Sequence, residues 1–192
     1  MTLLQIMPED APETVRVRTH DLDVIREELL RIGVRFARWH AARRVPDDAD
    51  DSAIMNAYRS HIAHVSAEGG YQVVDITRMT PTSIDPDSPQ QRHPARETFL
   101  KERFHDDDLV RFVVAGAGCF YLRVAGQVHA MLCTAGDLLS VPSRTVHWFD
   151  AGARPSYTAI RFFQEDNGCA ARFLPDSIAA RFPTLDDLLA TS

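Results

Sequence analysis

The chain has 192 residues, 45% hydrophobic and 25% charged, with a formal net charge of −6. That length and composition suit one globular unit whose core is large enough to need no disulfide or metal staple. The acidic balance and the absence of a long basic run argue against nucleic acid, whose phosphates need clustered Lys and Arg; no apolar stretch approaches the ~20 residues of a membrane span.

Residues 14–18 read as a short strand. Leu22, Ile25, Leu29 and Ile32 then recur at helical spacing, with Thr19 or Asp21 as cap and Gly33 as stop. Residues 34–39 alternate apolar positions with arginines and read as a second strand. After a polar loop, a helix over 52–67 sets Ile54, Tyr58, Ile62 and Val65 on one face, and Gly69 and Gly70 end it. Residues 72–79 are a strand, the proline-rich stretch 80–94 is a loop, and a short helix spans 94–101. Beyond it, runs of β-formers at 109–114, 119–124, 128–133, 138–141, 145–149 and 158–163 are separated by turn residues. That spacing marks an antiparallel sandwich or barrel. Residues 175–189 form two short outer helices. Cys119, Cys133 and Cys169 lack CxxC spacing and suggest no disulfide framework. No charged and apolar leader opens the chain, so the expected location is the cytoplasm.

A small barrel points alternate residues into one cavity. If residues 102–111 are extended, Arg103, His105, Asp107, Leu109 and Arg111 share a face. His147 lies on a later strand. Two histidines on separate strands begin a metal site, and imidazole suits iron, nickel, zinc and copper. Asp107 is the expected carboxylate ligand, although a bulge would equally aim Asp106 or Asp108 inward. His20, His40, His61, His64, His93 and His129 have no supporting constellation and are assigned surface or capping roles.

Gly136-Asp137-Leu138-Leu139-Ser140-Val141-Pro142 followed by His147 resembles the second cupin motif, with Arg144 in place of its glycine. Val141-Pro142 with His147-Trp148-Phe149-Asp150, the segment Gly33 to Trp39, the segment Val110 to Phe120 and the segment Thr158 to Phe163 resemble acireductone dioxygenases in particular. The resemblance implies a mostly β fold, a cupin double-stranded β-barrel (jelly roll) with N- and C-terminal helices packed outside. It implies a single domain over residues 1–192, with α/β decoration at about 14–79, a barrel core at about 99–164 and C-terminal helices at about 175–190. In that family a segment Glu-His-x-His-x3-Glu-x-Arg supplies two histidines and a glutamate, and the second motif supplies a third histidine. Aligning Glu102 and Arg111 with its ends places His105 on the second histidine and His147 on the third. The first histidine falls on Arg103 and the glutamate on Leu109. A guanidinium about 4 Å from a divalent ion would repel each unit of metal charge by ~4 kcal/mol at an effective dielectric near 20.

Family members bind iron or nickel and cleave an ene-diol ketone of methionine salvage to a keto acid and formate, or with carbon monoxide in the nickel form. For this chain the resemblance implies an enzyme acting on a small enolisable or anionic metabolite through an altered site. His105, His147, Arg103 and Arg111 are the expected catalytic residues. Arg161, Phe149, Phe99 and Leu109 are the expected substrate contacts; Arg111 and Arg161 would bind an enolate or carboxylate, or pair with a structural acid. One Fe(II), Ni(II) or Zn ion on His105, His147 and Asp107 is one expectation, and no metal is the other. Two alternatives stand beside this reading: a true metal-dependent dioxygenase with a rebuilt site, and a metal-free small-molecule-binding cupin or pseudoenzyme. The expected partner is a small molecule, with no nucleic acid or membrane, and the expected state is a monomer or homodimer.

Overall fold

The computed structural model describes residues 1–39, 45–46, 49–80, 94–165 and 170–191. Most of the predicted loop at 80–94 lies outside the described residues. The first strand is β1 (Leu3–Pro8), followed by β2 (Val17–Thr19), α1 (Leu22–Arg31), β3 (Arg35–Arg38), α2 (Asp51–Ala57), α3 (Arg59–Gly69) and β4 (Val73–Met79). Then come α4 (Pro94–Phe99), β5 (Arg103–His105), β6 (Leu109–Val124), β7 (Gln127–Thr134), β8 (Asp137–Val141), β9 (Val146–Asp150), β10 (Tyr157–Phe163), β11 (Ala171–Phe173) and α5 (Leu185–Ala190).

One face of the barrel is the sheet β11-β5-β9-β6-β7-β1-β2; the other is β4-β10-β6-β8-β3. The pairings are antiparallel, and β6 belongs to both sheets. It changes sheet near Gly116, whose φ is 73° and where a Cβ would lie 1.7 Å from the Ser156 carbonyl oxygen. Only glycine serves there. The inner faces bury Leu4, Ile6, Phe120, Leu122 and Met131 against Phe36, Leu109, Val113, Leu139 and Val141. Behind the first sheet, Tyr121 and Trp148 stack at 4.9 Å and pack on Phe182, Leu185 and Leu188. Behind the second, Phe112, Ile160 and Phe162 meet Ile54, Tyr58 and Val65 of the N-terminal helices. Period-two alternation thus sends one set of side chains into the barrel and the other beneath the helices. Among the described residues no helix is long and apolar enough to cross a membrane.

Several expectations need correction. β1 was not foreseen; all six of its residues are buried and it sits between β7 and β2. Covered on both faces, it lacks the alternation that betrays a strand. The strand expected at 14–18 is Val17–Thr19. The helix over 52–67 is two helices broken at Tyr58, where φ is −107° and ψ 14°. The two runs at 109–114 and 119–124 are one bent strand, because Gly116 turns the chain without ending its pairing. Residues Ala171–Phe173 form an unexpected edge strand. α1 falls where the spacing put it, with the Asp21 carboxylate accepting from the Asp23 and Val24 amides.

Asp150 anchors the frame. Fully buried, it accepts from Arg96 at 3.0 and 3.2 Å and from the amides of Gly152 at 2.9 Å and Leu185 at 3.0 Å. It therefore ties α4 and α5 to β9. Asp150→Ala leaves one cation and two amides without their acceptor, and is expected to cost about 3 kcal/mol. Urea denaturation of both proteins measures it.

Candidate active site

β5 and β9 are neighbours, and Arg103 lies opposite His147 in register. Alternation puts His105 on the same face as Arg103, and Phe149 on the same face as His147. The His105 and His147 rings lie 5.2 Å apart between centroids. Nδ1 of His105 donates to the Ala170 carbonyl at 3.0 Å and Nδ1 of His147 to the Thr145 carbonyl at 2.8 Å. A carbonyl only accepts, so each imidazole carries its proton on Nδ1 and leaves Nε2 as a lone-pair acceptor. Nε2 of His147 is buried with no hydrogen-bond partner among the described residues.

The facing sheet contributes Leu109 and Arg111 from β6 and Arg161 from β10, which lies opposite Arg111. The Arg111 guanidinium donates to the Val110 carbonyl at 2.8 Å and sits 5.2 Å from the Phe163 ring centroid. Arg161 covers the same ring and grips the Asp75 carboxylate through Nε at 2.7 Å and Nη2 at 2.5 Å. Arg103 donates to the carbonyls of Thr98 at 3.0 Å and Phe99 at 3.2 Å and covers the Phe99 ring. Phe99 meets Phe149 edge-on at 6.1 Å.

Residues 103–111 are thus not one extended strand. β5 ends at His105, β6 begins at Leu109 in the neighbouring part of the barrel, and three acids form the turn between them. The Asp107 carboxylate accepts from the amides of Asp108 at 3.0 Å, Gln164 at 2.8 Å and Glu165 at 3.4 Å. Asp108 accepts from the Ser143 amide and the Tyr71 hydroxyl, and Asp106 pairs with Arg172. All three acids are engaged in holding the turn. His129, assigned a surface or capping role, is 2% exposed within β7.

Burial dominates the electrostatics. It draws Arg103 and Arg111 down to about 10, so both stay charged near neutral pH. His147 is pulled down to about 3, first by burial, with the Arg103, His105 and Arg111 charges adding to it. His105 moves down for the same first reason. Both imidazoles are neutral bases at pH 7.

The ARD/ARD' family model matches residues 4–171. The chain belongs to the acireductone dioxygenase family. It is 46% identical over 191 residues to an acireductone dioxygenase of Saccharopolyspora erythraea, covering 100% of both chains. It is 45% identical to acireductone dioxygenase 2 of Nocardia farcinica, covering 98% of each. The solved acireductone dioxygenase from Bacillus anthracis, with a cadmium ion in its active centre, superposes with a TM-score of 0.73 at 25% identity, over 90% of this chain and 98% of that one. The cupin barrel is therefore the family fold.

Membership implies a metal ion, but the donor set among the described residues does not fit one. Among the described residues no group of three or more His, Cys, Asp and Glu is placed to hold a metal. Two imidazoles meet, and a permanent cation stands beside them in register. Sequence reasoning missed Phe163, the platform between two guanidiniums, and Tyr157, whose hydroxyl is buried without a partner among the described residues. Both share the parity of Arg161 along β10, which was the available signal.

Proposed function

We propose that this member of the acireductone dioxygenase family is an enzyme with altered chemistry, acting on a small enolisable or anionic metabolite in a pocket of arginines and neutral imidazoles. The observation that carries the reading is Arg103, a buried guanidinium, lying opposite His147 where the motif comparison puts a metal-ligating histidine. In this reading Arg103 and Arg111 stabilise negative charge as it develops on an enolate or carboxylate, and once that anion offsets the two guanidinium charges, Nε2 of His147 or His105 accepts a proton. Phe99, Phe149 and Leu109 exclude water from the reacting end, and Arg161, held by Asp75, steadies Phe163 beneath Arg111. The setting is the cytoplasm. Isomerisation, cyclisation and dehydration are the reaction types this set of residues can serve.

Metal content by plasma mass spectrometry tests the reading, on the wild type and His147→Ala after loading with iron or nickel. The expected result is far below one equivalent in both proteins, since two imidazoles beside a guanidinium hold a divalent ion weakly. Near one equivalent in the wild type, lost in the variant, would instead support a dioxygenase with a rebuilt site. Nε2 of His147, buried without a partner among the described residues, favours that second reading.

A further inference from the structure

The arginines of this barrel divide in an unexpected way. Arg38, Arg96, Arg123 and Arg161 are each about a third exposed, and each has a carboxylate: Asp137, Asp150, Glu102 and Asp75. Arg103 and Arg111 are more deeply buried, at 6% and 9% exposure, yet donate only to main-chain carbonyls among the described residues. A buried cation without a counter-charge is costly. Both guanidinium charges lie close enough to act on the His105 and His147 rings, and Arg103 faces His147 in register. Two further buried groups face the same interior without partners among the described residues, the Tyr157 hydroxyl as a donor and His147 Nε2 as an acceptor.

We propose that this interior is an anion site, in which Arg103 and Arg111 together bind the carboxylate of a small 2-hydroxy acid. The inference rests on the proposed reading of an arginine-run pocket and names the ligand class that pocket takes. A guanidinium fork matches a planar carboxylate. The aromatic walls Phe99, Phe149 and Phe163 suit a flat group more than a tetrahedral one. A hydroxyl beside the carboxylate would donate to Nε2 of His147, and the Tyr157 hydroxyl would donate to a carboxylate oxygen. The site's charge is thus inverted relative to a metal centre: the protein supplies the cations and the ligand the anion.

Glycolate is the probe, titrated calorimetrically into protein dialysed against EDTA, with acetate and inorganic phosphate as comparisons. Glycolate should bind saturably, more tightly than acetate or phosphate. Arg103→Met and Arg111→Met should each weaken it at least about tenfold, while Arg35→Met, an exposed control on β3, should leave it unchanged. If either Met variant fails to fold, Arg103→Lys and Arg111→Lys keep the charge, lose the fork and should still weaken glycolate. The proposal is overturned by no saturable binding, by phosphate binding more tightly, by binding indifferent to both arginines, or by binding that appears only after iron or nickel is added. Metal content and glycolate affinity are separate readouts, so a negligible metal content with no glycolate binding sinks this inference while leaving the proposed reading standing.

Discussion

The Arg103→His/Leu109→Glu double variant is expected to bind about one equivalent of iron or nickel where the wild type binds little. The two substitutions remove a permanent cation and add an imidazole and a carboxylate beside His105 and His147, completing the donor set of the family motif. Arg103 lies opposite His147 in register, so a histidine there enters the same face of β5. Leu109 opens β6 across the interior and is 7% exposed. Removing ~4 kcal/mol of repulsion per unit of metal charge corresponds to several orders of magnitude in affinity. Metal content and oxygen uptake with an ene-diol ketone are the measurements. Metal binding with oxygen uptake would mark the wild-type pocket as a dioxygenase pocket altered at two positions. A double variant that folds yet still excludes metal would show that the pocket has diverged beyond those two residues.

Acid should destabilise the fold through its imidazoles before the carboxylates titrate. In the unfolded chain His147 takes a proton near its ordinary 6.5, whereas in the folded protein it does so only at about 3. Between those values the unfolded state binds more protons, so stability rises with pH across the window and is lost as pH falls from about 6.5 towards 3. The loss approaches about 1.4 kcal/mol per pH unit for each imidazole that stays neutral. His105, shifted in the same direction, adds to it. His147→Met should therefore unfold with a flatter pH dependence than the wild type, differing by about 2 kcal/mol between pH ~6.5 and ~5. Urea melts of EDTA-dialysed protein at about pH 7, 6 and 5 measure it. Parallel curves would mean that His147 accepts its proton in the folded protein as readily as in the unfolded one.

Much of the barrel was written locally. The strands at 128–133, 138–141 and 158–163 announce themselves because each is a run of β-formers bounded by turn residues, and α1 carries its own cap in Asp21. The resemblance to the family motif singled out Glu102, His105, Arg111 and His147, and implied that Arg103 and Leu109 stand in ligand positions. β1 was illegible because, covered on both faces, it has no period to read, and no turn residue before Leu3 marks its start. The partners were equally hidden. Nothing near Arg161 in sequence points to Asp75, 86 residues away, and nothing near Asp107 reveals that it caps the amides after β10.

By itself the sequence determined the antiparallel barrel through short-range spacing and the family through resemblance, and it set Arg103 and Leu109 where that resemblance implies ligands. Only the tertiary structure decided which arginines have counter-ions. Arg111 and Arg161 look alike in the chain, yet β4 brings Asp75 to one and no described carboxylate to the other. A charge pair depends on which strands become neighbours, and that is a property of the closed sheet rather than of any segment within it.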